Sequence, residues 1–379
     1  MLPTAGQLIE RARAATGLTG LGADGWQEGL ERLLDAAAQD LALDAATAAR
    51  LERNLEHRLT SRLRIEDWYR RQAQPPPPLD GIVVIHGLPR PATTALHYLL
   101  ARGPQFRYQR RWEITSPVPP PGATSDENDE RRLAAIRQGH NVPGGSVQHI
   151  AELDGPSDDS AILGLSFHNQ ELGLPLPAYT RWWRKAGLRS TYAYHERVLR
   201  LLHTNRPPYL WLVKAPYHNF HLDDLAAQYP GARFIMAHRD PAAALPSACS
   251  TVATAQRNAL PGEPVDPLAL GAFLLEHVVE GIGRAMSARA IIGEDRFLDV
   301  SQHELEADAV KTAERIYGFL GLDLDPATRM VMDAWAAVNR RGSRGKHQYA
   351  PEDYGLTREQ IREAFHEYIE RYRVAPEDE

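Results

Sequence analysis

The sequence predicts an α/β fold of three layers, in which helices flank a parallel sheet, with an N-terminal helical region in front of it. Three observations predict it. Short runs rich in β-branched and aromatic residues, such as Gly81-Ile82-Val83-Val84-Ile85-His86, read as strands buried on both faces. Helix-periodic stretches alternate with these runs. A block of four prolines, Pro75 to Pro78, separates the strands from an all-helical start.

Residues 5–73 read as helices. Leu30, Leu33, Leu34 and Leu41, then Ala49, Leu51, Leu55, Leu59 and Leu63, recur at three- and four-residue steps among charges. Asp44 before Ala45-Ala46-Thr47 has the form of a helix N-cap. The prolines then act as a stiff stop, which sets the expected boundary between a helical region, 1–78, and an α/β domain, 79–379. After the first strand comes a turn, Gly87 to Pro91, and a helix from Ala92 to Leu100. Residues 115–160, rich in Pro, Gly, Asp and Ser, read as a long loop of the kind that forms lids and substrate walls. The second strand, Tyr209 to Val213, runs into Lys214-Ala215-Pro216, with a helix from His221 to Tyr229 behind it. The third, Arg233 to Ala237, ends at His238-Arg239-Asp240-Pro241. The fourth, Arg296 to Val300, is followed by a helix from about Glu304 to Leu320. Ligands of such sheets bind at the carboxyl ends of the strands, where Gly87, Lys214 and Arg239 fall.

Composition narrows the function. An apolar fraction of 43% suits a globular chain. A net charge of −6 disfavours a general nucleic-acid or anionic-membrane binder, so an anionic ligand needs a local basic cluster. One cysteine, Cys249, leaves no intrachain disulfide and no cysteine-built zinc site. Met1 to Thr19 carries Glu10, Arg11 and Arg13 and reads as neither signal peptide nor anchor, and no run of about 18 apolar residues occurs. A cytoplasmic location without a membrane span is the expectation.

Gly87 to Thr94 has the outline of a phosphate-binding turn, in which backbone N–H groups and the following helix N-terminus surround an anion. It departs from the nucleoside-triphosphatase pattern G-x-x-x-x-G-K-[ST]. Ala92 stands at the second glycine, Thr93 at the lysine, and the positive charge moves to Arg90. A plain strand-to-helix turn shaped by Gly87 and Pro89 is the alternative.

Gly87-Leu88-Pro89-Arg90-Pro91-Ala92-Thr93-Thr94 resembles the donor loop of sulfotransferases that use 3'-phosphoadenosine-5'-phosphosulfate (PAPS), commonly written G-L-P-R-T/S-G-T-T. Pro91 replaces Thr or Ser and removes a backbone donor. Ala92 replaces Gly, which adopts positive φ freely. Trp211 to His218 resembles the family's L-K-S/T-P segment. Phe234 to Pro241 with Pro246-Ser247 resembles its 3'-phosphate segment, and Arg340 to His347 its basic glycine loop. Four such stretches in the family's order, together with the N-terminal helices and Arg111-Trp112-Glu113, identify the chain with the large bacterial sulfotransferase group.

The resemblance implies a P-loop NTPase-like sulfotransferase fold. It implies PAPS as co-substrate, adenosine 3',5'-bisphosphate as product, no metal, and a small-molecule acceptor carrying a hydroxyl or amine, such as a lipid, glycan or secondary metabolite. Glu113 is then the expected base, with His140, His149 and His168 as alternatives. Lys214 and Arg90 are expected to stabilise the leaving phosphate. The donor would be held by Gly87, Leu88, Pro89, Arg90, Pro91, Ala92, Thr93 and Thr94, by Arg239 and Ser247, and by Arg341, Gly342, Arg344, Gly345 and Lys346. Arg239 brings a planar fork suited to phosphate. Plainer readings stand beside each: Glu113 paired with Arg110 or Arg111, Lys214 paired with an acid, Arg239 bridged to Asp240 or another carboxylate. Phe167, Trp182, Trp183, Tyr192 and Tyr194 are either an apolar acceptor pocket or core. Two further readings compete for the whole chain. One is a P-loop kinase-like phosphotransferase, with Asp299 as its magnesium-binding acid. The other is a catalytically degenerate nucleotide-binding protein.

Overall fold

The computed structural model describes residues 2–90, 92–122, 126–137, 152–206, 209–339 and 350–377. The chain opens with three helices, α1 (Ala5–Thr16), α2 (Trp26–Asp40) and α3 (Ala45–Arg71). Asp44 caps α3, its side chain accepting from Thr47 N at 2.7 Å. Strand β1 (Gly81–Gly87) leads into α4 (Thr93–Leu100). A two-residue strand β2 (Phe106–Arg107) and the short helices α5 (Arg111–Thr115), α6 (Glu130–Arg137), α7 (Ser160–Gly164) and α8 (Pro177–Trp183) follow, then α9 (Arg189–His203). Strand β3 (Leu210–Lys214) passes through a 3-10 turn, Pro216–Phe220, into α10 (Leu222–Gln228). After it come β4 (Arg233–His238), α11 (Pro241–Ala259), α12 (Pro267–Ile292) and β5 (Phe297–Ser301). The chain closes with α13 (Gln302–Ala307), α14 (Ala309–Leu320), α15 (Pro326–Val338), α16 (Arg358–Ala364) and α17 (His366–Tyr372).

Among the described residues all four strand pairings are parallel, in the order β2-β3-β1-β4-β5. Successive side chains of a strand face opposite sides, and the core divides accordingly. Ile82, Val84, Trp211, Val213 and Phe234 join α9, α10 and the N-terminal helices in one apolar cluster. Val83, Ile85, Leu212 and Ile235 pack on the other face against α4 and α14. Three layers follow from that alternation.

Three elements differ from the sequence reading. Helix α6 (Glu130–Arg137) lies within residues 115–160, which read as a loop. Strand β2 is two residues long, too short to show a period. The helix expected over 304–320 is two helices, because the Asp308 side chain accepts from Lys311 N at 2.9 Å and starts α14 afresh.

The N-terminal helices share their apolar cluster with β1 and β3. Arg62 of α3 fixes the joint. Fully buried, it donates to Leu21 O (Nε, 3.0 Å) and Leu165 O (Nη1, 3.1 Å) and pairs with Asp24. Its guanidinium also lies 3.9 Å from the centre of the Tyr194 ring. Removing one partner of a buried pair strands the other. Arg62→Ala is therefore expected to destabilise the protein by about 3–5 kcal/mol, read as a lower urea midpoint. An unchanged midpoint would mean that the helices do not depend on Arg62.

Candidate functional site

The site begins where β1 ends. Gly87 has φ +131°, and a Cβ there would fall 2.2 Å from Ala237 O on β4. Only glycine lets the two strands approach so closely and still turn into the loop. Leu88 turns inward and packs beside Met236 and Leu245. Arg90 and Ala92 both take left-handed conformations, φ +67° and +64°. Ala92 thus adopts the backbone that suits glycine, and immediately precedes α4. Thr93 and Thr94 open that helix, whose first-turn N–H groups have no acceptor within it.

The sheet register sets the second half. Gly87 lies opposite Ala237, so β4 delivers Arg239 beside the turn. The Arg90 carbonyl accepts from Arg239 Nη1 at 2.9 Å, and Arg90 Nε donates to Ser247 Oγ at 3.1 Å. Ser247 reaches this point because Asp240 caps α11, its side chain accepting from Ala242 N at 2.9 Å. Arg90, Arg239 and Ser247 therefore meet at one place. There the Arg239 fork grips a carboxylate: Nε lies 2.7 Å from Glu377 Oε1 and Nη2 3.0 Å from Oε2. Asp240 fastens that tail by accepting from Glu377 N at 3.0 Å.

On the other side of β1, Ile85 pairs with Lys214. The Lys214 side chain is 12% exposed, its Nζ 3.7 Å from Asp158 Oδ2. Asn219, on the turn after β3, ties this strand end to the turn at Gly87. Its Nδ2 donates to Gly87 O at 2.7 Å and its Oδ1 meets His86 Nδ1 at 2.9 Å. Burial pushes the His86 imidazole down to about 3, so it is neutral. Glu113 is fully buried in the first turn of α5, taking Arg107 Nη2 at 2.6 Å on one oxygen and Arg110 N at 2.8 Å on the other.

Other candidates fall elsewhere. Phe167, Trp183, Tyr192 and Tyr194 are buried, and they pack with Trp182 in the large apolar cluster on one face of the sheet. They form core rather than an acceptor pocket, because they fill the space between α2, α8 and α9. His168 is buried beside Trp182, its Nδ1 2.7 Å from Ser166 O. Asp299 is held by His238 Nε2 at 2.8 Å and by Arg289 at 2.6 and 2.9 Å. Against the opposing effect of burial, these two partners keep its carboxyl well below the usual range. Among the described residues, no group of three or more His, Cys, Asp or Glu side chains is arranged to hold a metal ion. No described helix is long and apolar enough to cross a membrane. Pro91, His140, His149 and the basic stretch containing Arg341, Gly342, Arg344, Gly345 and Lys346 lie outside the described residues.

Comparison with known proteins decides the family. The family model described as "Sulfotransferase family" matches residues 83–326, more than half of the chain. The chain belongs to the sulfotransferase family. The fold agrees at full length. Sulfotransferase STF9 from Mycobacterium avium is 28% identical with a TM-score of 0.88, the match covering 99% of this chain and 98% of that one. Sulfotransferase STF1 from Mycobacterium tuberculosis is also 28% identical, with a TM-score of 0.82 and coverage of 96% and 98%. No curated protein is significantly similar to the chain. Sulfuryl transfer is the chemistry this family and fold support. In this sulfotransferase the residues that approach each other at the strand ends are Gly87, Arg90, Arg239 and Ser247, with Lys214 and Asn219 beside them.

The left-handed backbone of Ala92 generates a test. Ala92→Gly is expected to stabilise the fold by roughly 0.5–1 kcal/mol, because relief of the Cβ clash outweighs the extra freedom of the unfolded chain. Urea unfolding measures it. A loss of stability would show that the turn holds Ala92 without strain.

Proposed function

We propose that this sulfotransferase takes its sulfuryl group from PAPS and passes it to a hydroxyl or amine of a small molecule such as a lipid, glycan or secondary metabolite. One observation carries the reading: Arg90, Arg239 and Ser247 converge beside the turn at Gly87, where the Arg239 fork already holds an anionic group. A planar guanidinium that takes both oxygens of a carboxylate has the geometry to take two oxygens of a phosphate. In this reading Arg239 and Ser247 bind the 3'-phosphate. The turn from Gly87 to Thr94 takes the phosphosulfate end.

Transfer breaks the bond from sulfur to the bridging phosphate oxygen and makes one to the acceptor. Negative charge then grows on the departing adenosine 3',5'-bisphosphate. Lys214 and Arg90 supply the positive charge that stabilises it. Glu113 takes the acceptor proton. Each of its oxygens keeps a lone pair beyond the one used by Arg107 or Arg110. The sulfuryl group carries less charge than a phosphoryl group, so basic side chains suffice as counter-charge.

Calorimetric titration with adenosine 3',5'-bisphosphate and with ATP, both without added magnesium, tests the donor. Micromolar binding of the bisphosphate and little binding of ATP is expected; the reverse preference would favour a kinase-like phosphotransferase. Arg239→Ala should weaken bisphosphate binding by about 10- to 100-fold, the range for lost charge-assisted hydrogen bonds. Unchanged affinity would remove Arg239 from the site. Glu113→Gln should lower turnover with PAPS and a productive acceptor by about a hundredfold or more, as for a lost general base, with bisphosphate affinity kept. Full turnover in that variant would exclude Glu113 as the base.

A further inference from the structure

Beneath Lys214 lies a buried carboxylate that no sequence motif marks. Asp159 is fully buried. Its Oδ2 is 2.9 Å from His218 Nε2 and 3.4 Å from His195 Nε2, and Oδ1 accepts from Gln109 Nε2. Its backbone N–H donates to Lys214 O at 3.1 Å. The neighbouring Asp158 faces the Lys214 ammonium. The outer partners are fixed in turn. Tyr192 OH is 2.9 Å from His218 Nδ1, and Tyr229 OH is 2.7 Å from His195 Nδ1. Burial opposes ionisation of Asp159, but the two histidines more than offset it and hold the carboxyl well below its usual range.

Two of the segments meeting at this carboxylate, those of Gln109 and His218, carry groups that the proposed reaction must hold in register. Gln109 is four residues before Glu113. Its carbonyl accepts from Ser157 N at 2.9 Å, and Arg110 bridges to Pro156. His218 sits four residues after Lys214, on the turn whose Asn219 holds Gly87 O. Residues 156–159 therefore run as a splice between the Glu113 segment and the Lys214 strand end, and Asp159 is its knot. A group misplaced by about 1 Å can slow a reaction about a hundredfold.

We propose that Asp159 is a positioning residue for sulfuryl transfer, holding the strand end of Lys214 against the segment that carries Glu113 through its hydrogen bonds to Gln109 and His218. The inference rests on the reading of Lys214 as the cation at the leaving group. A merely structural carboxylate would stabilise the fold without controlling Lys214.

The chain has four lysines, Lys185, Lys214, Lys311 and Lys346, so labelling by reductive methylation, read by mass spectrometry, resolves Lys214 directly. In the wild type, PAPS is expected to protect Lys214. Asp159→Asn should raise Lys214 labelling about fivefold, the change for one net hydrogen bond, and abolish protection by PAPS. Labelling of Lys185 and Lys311 should not change, and bisphosphate should still bind, because the Arg239 fork lies on the opposite flank of the Gly87 turn from Lys214. Unaltered labelling and protection of Lys214 would overturn the proposal. So would a rise at all lysines together with lost bisphosphate affinity, which assigns Asp159 to the fold alone. Should Asp159→Asn not fold, a pair at His218 decides. His218→Gln keeps a donor near Nε2 and should keep protection, whereas His218→Phe removes it and should lose protection. Equal protection in both overturns the idea. A wild type that binds no bisphosphate and shows no PAPS protection defeats the donor reading instead. Labelling of Lys214 without nucleotide then still decides whether Asp159 holds it.

Discussion

The missing side chain of Gly87 is the constraint on which the site depends. With 2.2 Å between the place of a Cβ and Ala237 O, any other residue would force β1 and β4 apart at their carboxyl ends. That separation would carry Arg239 away from the Arg90 carbonyl, which it now meets at 2.9 Å. It would also disturb Gly87 O, which Asn219 holds from the β3 side. One glycine thus lets three neighbouring strands deliver their last residues to a common point. The parallel register then places Lys214 and Arg239 on opposite flanks of the same turn.

Buried polar groups do the remaining alignment. Asp159 with His218, Asp299 with Arg289, Glu113 with Arg107 and Arg62 with Asp24 are all pairs removed wholly or partly from water. Such pairs add little net stability, since desolvation offsets attraction, but losing one partner is severe. Their value here is angular: each admits one geometry, and Asp159 with His218 and Arg62 with Asp24 also join segments far apart in sequence. Three of the four lie near the strand ends, and Arg62 instead locks the N-terminal helices to the sheet.

Much of the fold was legible because β-branched runs such as Ile82 to Ile85 and the glycine turn after them are local signals. The expected parallel sheet and N-terminal helices are present, and the sulfotransferase resemblance is matched by family and full-length fold. The convergence of Arg90, Arg239 and Ser247 was foreshadowed by motifs but needed the β1–β4 register to become a distance. What stayed illegible depends on contacts remote along the chain. Asp159 draws partners from positions 109, 195 and 218, none of which shares a periodic pattern with it. Strand β2 is recruited by pairing with β3 rather than by its own composition. The aromatics from Phe167 to Tyr194 could be assigned to core only once α2, α8 and α9 were seen to close around them.

Glu377 gives the proposed anion site an unusual resting condition. Arg239 is not a bare cation awaiting a ligand, because a carboxylate already lies across its fork. An anion that takes that fork must first turn this one out, so its uptake is an ion exchange. The affinity measured is the difference between two ion pairs, smaller than either alone. Salt screens the outgoing and incoming partners together, so ionic strength should move that difference less than it would move binding to an unoccupied arginine. The free protein also keeps its positive charge neutralised and its tail pinned, which makes release of the segment around Glu377 a built-in reporter of occupancy.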